Sequence, residues 1–129
     1  MKNRLTAIVI TLIFSVMILG GCEAAGYVGY SSRISPEQAM EIMADNSVII
    51  LDVRELHEFN TGHIPDAVSL PIGEISDAVE RMIPDKGQII LVYCRSGARS
   101  ADAAAMLAEM GYYNVFDIGG ILDWTGEIQ

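Results

Sequence analysis

Cys94 stands in the run Tyr93-Cys94-Arg95-Ser96-Gly97-Ala98-Arg99-Ser100. This run follows an apolar, β-branched stretch at 89–92 and opens an alanine-rich stretch at 98–110 that Gly111 ends, which puts the cysteine where a buried strand turns into a helix. At such a turn, successive backbone N–H groups and the positive end of the helix dipole converge on the side chain and form an anion nest. Arg95 and Arg99 add positive charge, and Gly97 lets the loop turn tightly enough for its amides to face inward. These surroundings lower a thiol below its free pKa of about 8.5 and leave the thiolate, the form that attacks. A lone cysteine is also commonly a small buried hydrophobe. The two arginines within five positions of Cys94 favour the nucleophile.

Other polar residues carry less chemistry. Asp52 and Arg54 follow an apolar run at 48–51, the end of a strand where α/β sites form, but an ion pair that fixes neighbouring loops suits them at least as well. His63 lies in Gly62-His63-Ile64-Pro65, a turn in which its ring serves backbone groups, and His57 reads as a solvated helix residue. Neither histidine has a cysteine or a second histidine at ligand spacing, so no metal is expected. Trp124 reads as a core anchor. An ionised thiol needs no cofactor and no general base.

The elements that must position Cys94 follow from periodicity. Ser35-Pro36-Glu37-Gln38 is a capping box with proline at the first helical position and opens a helix to about residue 44, with Ala39, Met40, Ile42 and Met43 on its buried side. The runs at 48–51 and 89–92 predict strands covered on both faces, and 68–70 and 115–118 are weaker strand candidates. Ile75, Val79, Met82 and Ile83 recur at helical spacing before Pro84-Asp85-Lys86-Gly87 stops them. Strands alternating with helices imply a parallel α/β layer fold with ligands at the carboxyl ends of the strands.

The chain begins with Lys2 and Arg4, then an uncharged apolar stretch at 5–21 that ends Leu19-Gly20-Gly21-Cys22. This is the layout of an export signal, and its end resembles the bacterial lipobox, in which the cysteine is acylated and the peptide is cut just before it. By that resemblance 1–21 is a lipoprotein signal peptide, Cys22 carries the lipid, 22–33 is a tether rich in small residues, and 34–129 is one globular domain. The alternative is an uncleaved spanning helix, for which the stretch is at the short end of the required length. Either arrangement leaves the basic start in the cytoplasm and the domain outside it, held at the bacterial membrane. From Cys22 onward there are 17 acidic against 6 basic residues, a balance that disfavours nucleic acid. Salt screens that field beyond about 8 Å, so a local cationic pocket can still bind a small anion.

Several runs, in order, are similar to the rhodanese family: Leu51-Asp52-Val53-Arg54-Glu55, His57-Glu58-Phe59, Gly62-His63-Ile64-Pro65-Asp66-Ala67, the loop from Cys94 to Ser100, and Gly119-Gly120 with Trp124. Together they cover about residues 34 to 126. The resemblance implies a three-layer fold with a five-stranded parallel sheet flanked by helices and the loop above its centre. It also implies a sulfurtransferase. Cys94 would take sulfur from a small anionic donor such as thiosulfate as a persulfide and pass it to cyanide or a thiol, with Arg95, Ser96, Gly97, Ala98 and Arg99 binding the substrate. Cys94 to Arg99 makes a six-residue loop, whereas related phosphatases and arsenate reductases use one residue more. A non-catalytic rhodanese-like module that binds a partner at the membrane surface is the alternative from another class, and the cysteine with both loop arginines disfavours it.

Overall fold

The two most apolar runs lie side by side at the centre of a parallel sheet, where both of their faces are covered. The computed structural model describes residues 31–129. Its strands are β1 (Ser31–Arg33), β2 (Val48–Asp52), β3 (Val68–Ser69), β4 (Ile89–Cys94) and β5 (Val115–Gly120), in the order β1-β5-β4-β2-β3 with every pairing parallel. Helices α1 (Pro36–Asp45), α2 (Leu56–Phe59), α3 (Ile75–Met82) and α4 (Ala98–Glu109) connect them, with short 3-10 turns at Ile72–Glu74 and Ile121–Asp123. The architecture is the expected α/β sheet of five parallel strands.

Alternation along β4 divides the core. Ile90, Val92 and Cys94 point to one face, where Ile75 and Val79 of α3 and Ala103, Ala104 and Leu107 of α4 cover them. Leu91 and Tyr93 point to the other, with Ala39 of α1, Ile64 and Ile118. A strand's side chains alternate between faces, so placing Cys94 two residues beyond Val92 sends its sulfur to the α4 side.

Local sequence signals set the helix ends. Ser35 Oγ accepts the Gln38 amide at 3.2 Å and the Gln38 side chain accepts the Ser35 amide at 2.9 Å, the reciprocal box that starts α1. Of the four residues expected on the buried side of α1, only Ala39 is fully buried. Met40 and Met43 instead line an open groove with Ile64, Pro65 and Trp124. Trp124 is accordingly half-buried against the core, its indole N–H donating to the Glu127 carbonyl at 3.1 Å, and is not a central anchor.

The end of the expected tether is sheet. Ser31, Ser32 and Arg33 pair with Val115, Phe116 and Asp117, so the folded domain starts at or before Ser31 and not at residue 34. Three residues without an apolar pattern form a strand here because β5 offers them an edge to pair with, which no local signal reveals. Cys22 and the apolar stretch before it lie outside the described residues.

Candidate active site

Cys94 ends β4, and Gly97, at φ 103°, turns the chain back so that α4 starts at Ala98 directly above the strand. The Gly97 amide donates to Cys94 Sγ at 3.0 Å. Cys94 is 1% exposed, at the floor of the loop. Burial by itself pushes the Cys94 thiol up. The Ser100 amide and hydroxyl and the Gly97 and Ser96 amides outweigh it and bring the thiol below its ordinary value. The backbone nest expected from the loop is therefore present at Ser96 and Gly97, and the strongest contribution comes from Ser100, one residue past the expected set. Its signal in the sequence was position: a hydroxyl in the first turn of a helix that begins at an anion.

The two arginines expected to add positive charge beside the thiol sit differently from one another. Arg95 is exposed on the loop. Arg99 donates through Nη1 and Nη2 to the two carboxylate oxygens of Glu58 at 2.8 and 2.9 Å. That pairing raises the Arg99 pKa, and the Cys94 thiolate adds to the same effect, so the guanidinium does feel the sulfur. Glu58 is held at a pKa of about 2, first by the Arg99 hydrogen bond. Glu58 comes from α2, whose own capping box joins the Glu55 and Glu58 side chains to each other's backbone N–H groups.

Asp52 and Arg54 take the structural role. Arg54 Nε and Nη2 bind the Asp52 carboxylate at 3.0 and 2.7 Å, and Nη2 also donates to the Gly62 carbonyl at 2.7 Å. The Tyr93 hydroxyl, whose pKa burial raises, accepts the Ile64 amide at 3.1 Å. This ties the loop after α2 to β2 and β4. His63 Nδ1 lies 3.1 Å from the Phe59 carbonyl and its ring stacks on Phe59 at 3.8 Å, an architectural placement, while His57 is exposed on α2. No group of three or more potential metal ligands occurs among the described residues.

Behind the loop, β5 supplies supporting contacts that the sequence did not announce. The register between β4 and β5 slips by one residue, pairing Val92 with Asp117 but Tyr93 with Gly119. The irregularity is closed by the Gly119 amide donating to Asp117 Oδ1 at 2.9 Å. Ser100 Oγ lies 2.7 Å from the same oxygen. A side chain on Gly120 would strike the Arg95 carbonyl and the Ser96 backbone, which explains glycine at that position. The Leu122 amide then donates to the Arg95 carbonyl at 3.2 Å, fixing the outer side of the loop.

A thiolate nest at the head of a helix, above the central strand of a five-stranded parallel sheet, defines a rhodanese-type sulfurtransferase site. The chain belongs to that family: the model for the rhodanese-like domain matches residues 35–127. It is 34% identical over 73 residues to the thiosulfate sulfurtransferase PspE of Escherichia coli (strain K12), covering 57% of this chain and 70% of that one. It is also 34% identical over 100 residues to the putative sulfur carrier protein YrkF of Bacillus subtilis (strain 168), covering 73% of this chain but only 53%, about half, of that relative. Among solved structures, a rhodanese with anions from E. coli superposes with a TM-score of 0.62 at 30% identity, covering 64% of this chain and 98% of that one.

Proposed function

We propose that the protein moves sulfane sulfur from a small anionic donor of the thiosulfate type to cyanide or a thiol through a persulfide on Cys94. The observation that carries this reading is the set of donors turned onto one sulfur, with the Gly97 amide at 3.0 Å. In the first half, the thiolate attacks the outer sulfur of thiosulfate, the S–S bond of the donor breaks, and its electron pair leaves with sulfite. In the second, the acceptor attacks the outer sulfur of the persulfide, the bond to Cys94 breaks, and the thiolate returns; cyanide leaves as thiocyanate. The amides of Ser96, Gly97 and Ser100 face the place where negative charge sits in both halves, a preorganised stabilisation of the type used for oxyanions.

Incubation of the protein with thiosulfate followed by mass measurement should show the gain of one sulfur atom on the peptide carrying Cys94. Cys94→Ser should abolish both that gain and thiocyanate formation. An unchanged mass across a panel of sulfane donors would overturn the reading in favour of a binding module.

We further propose that Cys22 carries a lipid anchor that holds the domain outside the cytoplasm. The basic start, the apolar stretch and Leu19-Gly20-Gly21-Cys22 support it. Cys22→Ala should block processing or release the protein from membranes, whereas firm attachment with unchanged size would indicate a spanning helix instead.

A further inference from the structure

Arg33 stands beyond any motif, on the edge strand, yet it reaches the catalytic loop. Its backbone position is fixed by pairing with Asp117 in β5, reinforced by the Ile34 amide donating to the Asp117 carbonyl at 3.0 Å. From there Arg33 Nε binds Asp117 Oδ2 at 2.8 Å and Nη2 donates to the Gly97 carbonyl at 3.2 Å. The guanidinium lies flat on two glycines: a Cβ on Gly97 would stand 3.0 Å from Nη2, and one on Gly119 would stand 2.7 Å from Nη1. We propose that Arg33 is a positioning residue of the sulfur site, holding the Asp117 carboxylate, on which the Ser100 hydroxyl is anchored, and the Gly97 carbonyl so that the loop amides remain directed at Cys94.

The reasoning starts from one proton and several acceptors. Ser100 Oγ has a single hydrogen, and within reach lie Asp117 Oδ1 at 2.7 Å, the Gly97 carbonyl at 3.1 Å and the Gly119 carbonyl at 3.2 Å, in addition to the sulfur. A carboxylate accepts charge-assisted hydrogen bonds strongly. Asp117 is buried and accepts the Ser100 proton, so an uncompensated charge there would oppose the thiolate as a like charge. Arg33 offsets that charge at Oδ2 and holds the Gly97 carbonyl, which keeps the loop and its amides in place on the sulfur.

The other charged groups around Cys94 are already committed or lie outward. Arg99 is bound by Glu58, Arg54 is bound by Asp52 at the end of the neighbouring strand, and Arg95 is exposed on the loop. Arg33 is therefore the cation that balances the carboxylate beneath the loop. The inference rests on Cys94 being the nucleophile, but its test does not require sulfur transfer.

The experiment is the pH dependence of Cys94 alkylation by iodoacetamide in the full-length protein, read by mass spectrometry of the peptide carrying Cys94. Arg33→Ala should move the midpoint upward by about one pH unit, the effect of leaving the like charge of Asp117 unbalanced beside the thiolate. Arg33→Lys, which keeps the charge, should restore at least half of that shift. Asp117→Asn added to Arg33→Ala should bring the midpoint back toward wild type, because the unbalanced carboxylate is gone; a merely structural role would make the double variant worse. An unmoved midpoint in Arg33→Ala, or Arg33→Lys behaving like Ala, overturns the proposal. Should Arg33→Ala not fold, Arg33→Gln, which keeps the bulk and removes the charge, takes its place: a raised midpoint supports the proposal and an unmoved one overturns it. An Arg33-dependent midpoint in a protein that never gains sulfur would instead refute the sulfurtransferase reading and leave this one standing.

Discussion

Glu58 and Arg99 lie 41 residues apart in the chain and meet in a two-pronged ion pair, with both guanidinium Nη atoms on the two carboxylate oxygens. The cation that the loop motif provides is thus shared with a carboxylate from α2. The charge of Arg99 is thereby partly offset, and the lowering of the Cys94 thiol falls to Ser100 and the loop backbone.

Glu58→Gln keeps the shape of that contact and releases the charge of Arg99. The KM for thiosulfate should fall by about 2- to 5-fold at low salt, the scale of an exposed ion pair, with little change in kcat. The gain should shrink as salt is added. A raised KM with lowered kcat would mean that Glu58 is needed to shape the loop.

The same pair has a pH signature. Glu58 is held at about 2 in the folded protein against an ordinary 4.5, so its contribution to stability is complete above about pH 4.5 and is lost as pH falls toward 2. Melting temperatures measured between pH 6 and pH 2 should drop less steeply for Glu58→Gln than for wild type over that window. Parallel curves would show that other carboxylates dominate the acid limb.

Ser100→Ala removes the hydroxyl that stabilises the thiolate, and the alkylation midpoint of Cys94 should rise. A hydrogen bond to a charged group contributes about 1.5 kcal/mol, and one pKa unit corresponds to about 1.4 kcal/mol, so the shift should be about one unit. Stopped-flow alkylation over pH 5 to pH 10 measures it. No rise would assign the low thiol pKa to the loop amides alone.

Asp52→Ala strips the partner from Arg54, which is 5% exposed, and leaves a buried cation unpaired. Breaking a buried pair in this way costs about 3–5 kcal/mol. Urea unfolding should show that loss, while the alkylation midpoint of the protein that remains folded should stay at the wild-type value. A shifted midpoint would place Asp52 in the sulfur chemistry rather than in holding the loop at Gly62.

Near neighbours determined much of this protein. The β-branched runs of β2 and β4, the capping box at Ser35 and Gln38, and the strand, tight turn and helix around Gly97 each depend on residues a few positions apart, so their consequences are legible in the chain: a parallel sheet with a thiolate nest at its carboxyl edge. Which charges surround the sulfur depended on sheet order and register. Arg33 and Gly97 are 64 residues apart, Glu58 and Arg99 are 41 apart, Ser100 and Asp117 are 17 apart, and a one-residue slip of β5 against β4 brings Gly119 and Gly120 opposite Tyr93 and Cys94. A charged residue looks alike in sequence whether it faces water or a carboxylate from another strand. Only the tertiary structure shows that Arg99 is bound by Glu58 and that the last residue of an unremarkable edge strand reaches the loop at Gly97.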